Sequence, residues 1–232
     1  VRFAYQMTPE AFVQAGQVIL AFGVVSALYG AFAALAQSDL KKMIAYTSVN
    51  HMGYVVMGVA VAALANDSRI RTIGLDGATL QMVSHGLVTG ALFFLVGMLQ
   101  DRAHSRGIGE FGGLLGRVPW LGWAFILSAF ASLGLPGLAH FPAEFQIFLA
   151  TLNAAPWAIV AILAIVVTAA LYLRAIAAVF LGEANPKWTD MPDLDRREKL
   201  VIVPLLILTV LVGVAPGWLI DIIHTTMTGL GG

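Results

Sequence analysis

Four side chains in this 232-residue chain have the chemistry to pass protons through apolar surroundings: His51, His85, His140 and Glu144. Histidine takes up and releases a proton near neutral pH. A carboxylate in low dielectric resists ionisation, whereas the N-terminus of a helix or a nearby cation favours its charge. Glu144 is placed between those pulls, because Pro142 is expected to open a helix just before it. Such a group can change protonation state when a neighbouring charge changes. Polar residues surround the histidines at helical spacing. Thr47, Asn50 and Tyr54 share a face with His51, and Gln81, Ser84 and Thr89 share one with His85. Hydroxyls and amides of this kind can hold water for proton hopping.

The elements that must position them are membrane helices. The chain is 59% hydrophobic and 11% charged, against about 25% charged in soluble domains. Its formal net charge is zero, so no basic face points to nucleic acid. It has no cysteine, which excludes disulfides, thiolate metal sites and thiol nucleophiles. Six segments are long and apolar enough to span a bilayer: about 10–36, 42–64, 76–99, 119–151, 156–181 and 200–223. A polar loop, 65–72, separates the second from the third.

The fourth segment is too long for one straight crossing. At ~1.5 Å per residue an unbroken helix over 119–151 reaches about 50 Å, and the hydrocarbon core is about 30 Å thick. The Gly134, Pro136, Gly137, Pro142 cluster locates the break. A broken membrane helix beside an ionisable group is a sequence pointer to an ion pathway. Pro216 and its flanking glycines should bend the sixth segment. His51 lies nine residues inside Lys42, and His85 nine residues inside Asp76. Both depths are roughly 14 Å, counted from opposite sides, so both rings belong near mid-membrane. Glu144 lies roughly 10 Å from the outer surface, the side from which His85 is counted, and so is close in height to His85.

Lysine and arginine set the orientation. The loops after the first, third and fifth helices hold Lys41, Lys42, Arg102, Arg106, Arg117, Lys187, Arg196, Arg197 and Lys199, and the opposite side holds Arg2, Arg69 and Arg71. The first group is therefore read as cytoplasmic, with both chain ends outside. The chain opens at Val1 without methionine, and we read it as the C-terminal part of a longer protein.

Structural roles compete with chemical ones. Glu144 can cap the second half-helix, and His140 can serve as an N-cap. His51 and His85 can be packing histidines bonded to backbone carbonyls. Ser84, Thr89 and Thr47 suit helix–helix hydrogen bonds. Arg174 can snorkel to the headgroups. Lys41 and Lys42 flank a helix end and can signal topology alone. His104 and His224 lie near the surface.

One stretch carries a resemblance: Gln37-Ser-Asp-Leu-Lys-Lys-Met-Ile-Ala-Tyr-Thr-Ser-Val-Asn-His51-Met-Gly-Tyr54. With Gln81-Met-Val-Ser-His85-Gly, Phe93-Phe94, Asp101-Arg-Ala-His104-Ser-Arg106, Phe111-Gly-Gly-Leu and Ala131-Ser-Leu-Gly-Leu-Pro136-Gly, it resembles the antiporter-like membrane subunits of complex I and the related Mrp cation/proton antiporters. The matches run in family order from about residue 10 to 182. Ala143-Glu144-Phe145 is most similar to the M type of NADH-quinone oxidoreductase subunit, since the L and N types usually carry lysine there.

The resemblance implies an all-α membrane protein. Its six transmembrane helices would form the second five-helix inverted repeat (1–182) followed by a charged cytoplasmic loop and final helix (183–232). The segment at about 119–151 would be the discontinuous twelfth of fourteen helices. It implies proton translocation as a complex I subunit in a bacterial plasma membrane, with Glu144 and His85 in the proton path. His140, His51, Lys41 and Lys42 are further candidates. The implied partners are other membrane subunits, including the sister antiporter-like subunits, and the lipid bilayer. No cofactor is expected on this chain. NADH, FMN, Fe–S clusters and quinone are expected on partner subunits. The family's central lysines would precede Val1. An Mrp-type sodium/proton antiporter subunit and a structural membrane scaffold are the alternatives. The family usually reads Gly-Phe-Val-Gly-Glu-Phe at the break, so His140 is a departure.

Overall fold

The computed structural model describes residues 7–228, with side chains through Thr226. Arg2 and both chain ends, which entered the topology argument, lie outside the described residues. Among those described, the secondary structure is helical, apart from one isolated bridge between Asp39 and Gly107. The main helices are α1 (Pro9–Leu35), α2 (Leu40–Leu64), α3 (Ser68–Ala103), α4 (Pro119–Ser132), α5 (His140–Ala154), α6 (Leu163–Val179), α7 (Arg196–Val214) and α8 (Gly217–Thr228). A 3₁₀ stretch, Pro156–Ile162, leads into α6.

Four helical stretches among the described residues are singly long and apolar enough to cross a membrane, and a bent pair makes a fifth. The expected fourth crossing resolves into α4 and α5. These have 14 and 15 residues, so each reaches only about 21–23 Å, short of the hydrocarbon core. The polar loop expected over 65–72 shrinks, because α3 already starts at Ser68. Asp67 explains the early start: its side chain accepts from the Arg69 N–H at 2.8 Å and caps the helix. The final helix bends by 77° between α7 and α8, at the expected Pro216 step.

α1 and α2 approach backbone to backbone. A Cβ placed on Gly53 would lie 2.5 Å from the Ala27 nitrogen and 2.9 Å from its Cα. Small residues permit such close helix contacts where lipid offers little hydrophobic driving force. Gly53→Leu is therefore expected to cost more than the roughly 1–3 kcal/mol typical of overpacking. The assembled subunit should fall sharply on native gels. Wild-type levels would contradict the contact.

The loops after α1, α3 and α6 interlock on one face. The Leu40 N–H donates to the Arg106 carbonyl, and Ile108 to Ser38. Arg106 pairs with Asp39 at 3.2 Å. Trp188 Nε1 donates to the Glu110 carbonyl at 2.9 Å. Asp193 accepts from the Trp120 and Leu121 N–H groups, capping α4 from a distant part of the chain. Arg102 makes a two-pronged contact with Glu198 and also donates to the Pro192, Asp193 and Met98 carbonyls. Asp195 and Glu198 form a capping box on α7. The hydrogen bond from the Glu198 N–H holds the Asp195 carboxyl below the usual carboxylate range. Arg174 donates to the Gln37 carbonyl at 2.6 Å and ties α6 to the α1–α2 turn.

Candidate functional site

The site is built around the end of α4. Gly134 adopts a left-handed backbone (φ 79°) just past the helix. The Leu135 N–H bonds the Phe130 carbonyl at 3.1 Å, and the Gly134 N–H bonds that of Ala131 at 3.2 Å. This pairing is a Schellman motif, and Pro136 follows to stop the helix. The last carbonyls of a helix need outside donors. The carbonyl of Ser132 finds two histidines, His51 Nε2 at 3.0 Å and His140 Nδ1 at 3.4 Å. The helix break thus sets a backbone acceptor inside the bundle, and imidazoles satisfy it.

α5 then begins at His140, two residues before the expected Pro142 start. His140 is the first residue of the helix rather than its cap, and the N-cap position, Ala139, makes no side-chain capping bond. Glu144 consequently lies beyond the first turn, where the influence of the helix N-terminus has weakened. His140 and Glu144 are four residues apart on one face. The Glu144 Oε1 stands 3.9 Å from His140 Nδ1, and its residue is 5% exposed. Gln81 lies near the carboxylate but short of hydrogen-bond geometry.

His51, His85 and His140 come from α2, α3 and α5 and meet here. Ring centroids are 4.6 Å apart for His51–His140, 5.5 Å for His51–His85 and 6.2 Å for His85–His140. His51 and His140 are buried, and His85 is half-buried. His85 Nε2 bonds the Ser48 hydroxyl at 2.9 Å, and its Nδ1 bonds the Thr89 hydroxyl at 3.1 Å. Of the polar stripe on α3, Thr89 therefore serves His85, whereas Ser84 bonds back to the Leu80 carbonyl within its own helix.

A second branch leaves the break through Ser132. Its hydroxyl bonds Tyr172 at 2.8 Å, and Tyr172 reaches Thr47 at 3.3 Å. Asn50 donates to Thr168 at 2.9 Å. Ser48, Ser132, Thr168 and Tyr172 were not candidates from the sequence. The signal available was weak: Thr168 and Tyr172 are polar residues four apart in a span that is otherwise apolar up to Arg174, and Ser132 precedes the glycine–proline cluster. Lys41 and Lys42 are not brought to this cluster. Both are exposed at the start of α2, with Lys41 ten residues from His51, or about 15 Å along the helix. His224, expected near the surface, pairs with buried Asp76 at 2.7 Å and joins α8 to α3.

Chemically, the arrangement offers imidazoles that accept and release protons, a carboxylate at their edge, and hydroxyls bonded to the rings. A broken helix whose end meets buried titratable groups is an arrangement found in polytopic membrane proteins with a polar path between their helices. Residues 1–172 match the family described as NADH:quinone oxidoreductase/Mrp antiporter, transmembrane, and the chain belongs to that family. It is 36% identical over 232 residues to NADH-quinone oxidoreductase subunit M of Rhodobacter capsulatus, covering 99% of this chain and 44% of that one. It is 40% identical over 200 residues to F(420)H(2) dehydrogenase subunit M of Methanosarcina mazei, covering 86% of this chain and 39% of that one. Among solved structures, respiratory complex I from Thermus thermophilus with bound NADH contains a similar chain. There the TM-score is 0.88 and identity 33%, over all of this chain and 48% of that one. A chain of the Mrp complex from Dietzia sp. shares the fold, with TM-score 0.81 and 22% identity over 94% of this chain and 48% of that one. The chain thus spans less than half the length of these relatives.

Proposed function

We propose that this chain forms the exit half of a proton path in an M-type membrane subunit of an NADH-quinone oxidoreductase. The observation that carries the reading is the convergence of three histidines and Glu144 on the break between α4 and α5. In this reading protons enter from lysines that the family carries outside the stretch this chain matches. They pass His85, cross the His51–His140 pair, and reach Glu144 before release outside. Charge changes in neighbouring subunits drive the transfers. Lys41 and Lys42 act at the entrance side or serve topology alone.

The same reading assigns the finer architecture. Residues 1–182 form the second five-helix inverted repeat, with α4 and α5 as the two halves of its broken crossing. Residues 183–232 supply the cytoplasmic loop and the final helix. The interlocked face carries most of the lysine and arginine and so lies in the cytoplasm, in the plasma membrane of a bacterium. Sister antiporter-like subunits flank the chain in the membrane. NADH, FMN, Fe–S clusters and quinone are bound by other subunits, and none by this chain.

His85 offers a direct test, since its ring links Ser48 and Thr89 to the buried pair. His85→Ala in the intact complex is expected to lower proton translocation several-fold. Electron transfer from donor to an artificial acceptor on the redox arm should persist. Undiminished translocation in an assembled variant would remove His85 from the path.

A further inference from the structure

We propose that His51, His85 and His140 form a binding site for a divalent first-row transition-metal ion, zinc being the best match. One ring nitrogen from each of the three lies within 4.8 Å of the others. Two of the three rings, His51 and His140, each keep one ring nitrogen without a partner. His140 Nδ1 faces only acceptors, the Ser132 carbonyl at 3.4 Å and the Glu144 carboxylate at 3.9 Å, so the proton of the neutral ring sits there. Its Nε2 then carries a bare lone pair, and that atom is buried with no hydrogen-bond partner. His51 is the mirror case: Nε2 donates to the Ser132 carbonyl at 3.0 Å, and Nδ1 is buried and unpartnered. Donation of the second N–H to a backbone carbonyl is how metal-ligating histidines are usually oriented. One carbonyl here orients two of them.

His85 completes the set. Both of its nitrogens contact hydroxyls, Ser48 and Thr89, which can turn to donate or accept. An ion therefore displaces one rotatable O–H rather than a fixed backbone donor. Half-buried His85 also provides the way in, between the exposed Met82, Val83 and Gly86 on α3. Three neutral imidazoles with an open fourth position suit zinc, which imposes no geometry of its own. Zn–N bonds of about 2.0–2.1 Å imply nitrogens about 3.3 Å apart, so the rings close by up to about 1.5 Å around the ion. The nearby Glu144 carboxylate supplies counter-charge for a cation held away from water. An ion there occupies nitrogens of the proton path, so it blocks translocation; that consequence alone rests on the function proposed above.

The test uses the intact complex in detergent, loaded with zinc chloride and freed of loose metal by gel filtration. Zinc per complex is counted by mass spectrometry for wild type, His140→Asn, His85→Gln and the control His224→Asn, with assembly checked on native gels. The expected result is one zinc fewer in His140→Asn and His85→Gln than in wild type and the control. The wild-type-minus-variant X-ray absorption should show nitrogen ligation with imidazole scattering. Equal zinc in assembled wild type and both site variants overturns the site. Zinc bound at the cluster with translocation unimpaired supports the metal site and rejects the proton path. A several-fold loss of translocation in His85→Ala, with no zinc at the cluster in wild type, rejects the metal site and keeps the path.

Discussion

Glu144→Gln is expected to lower proton translocation by at least about tenfold, a conservative figure beside the roughly 10²–10⁴-fold that positioned acid–base groups contribute. The substitution keeps shape and volume, so the packing of α5 should survive. It removes the one thing the reading requires at that position, a group that takes and gives up a proton. The partner geometry explains why no neighbour substitutes. Glu144 is the buried carboxylate at the break, 3.9 Å from His140, whereas buried Asp76 is already paired with His224. Glu144→Asp retains the charge and should be milder, its shorter side chain stretching the approach to His140. The measurement is the ratio of protons moved to electrons passed in reconstituted vesicles. Reduction of an artificial acceptor serves to separate damaged assembly from lost translocation. A scaffold role for Glu144 predicts instead that the glutamine variant pumps normally once assembled.

Gly134→Ala should be nearly as damaging, though residue 134 has no titratable group. Its φ of 79° is open to glycine and strained for alanine, at a cost of about 1–2 kcal/mol. A Cβ there also collides with Glu144 Oε2. Either the carboxylate moves or the turn that frees the Ser132 carbonyl opens. Both uncouple Glu144 from the histidines. Gly137→Ala separates strain from collision. Gly137 has φ 90°, but a Cβ there meets nothing within 4 Å. Similar losses of stability are expected in the two variants, with proton translocation reduced about tenfold only in Gly134→Ala. Equal translocation in both would mean that Gly134 matters through backbone strain alone.

Much of this site could be read from the sequence, and the reasons are local. The glycine–proline cluster at 134–142 interrupts any helix, and the Pro216 step bends one. Helical spacing puts Thr47, Asn50 and His51 together, and likewise Gln81 and His85. Counting residues from charged ends brought His85 and Glu144 to one height. Local patterns do not encode which faces turn toward each other. That the α2 histidine would share a carbonyl with His140 depends on where α4 stops and how α5 returns. The same holds for Asp193 capping α4 and for His224 meeting Asp76, both pairings across long stretches of chain. The α3 start was misplaced because polar residues at 68–72 look like a loop, although a capped first turn readily accommodates them. The place of His140 in the cluster follows from α5 beginning at that residue, which no local pattern announces.

The central claim is that Glu144 exchanges a proton during turnover. Infrared difference spectroscopy of the intact complex, recorded between resting and reduced states, observes this directly. The account predicts a protonated-carboxyl C=O stretching change that shifts in deuterated water and disappears in Glu144→Gln. The same band, undiminished in that variant, would contradict it.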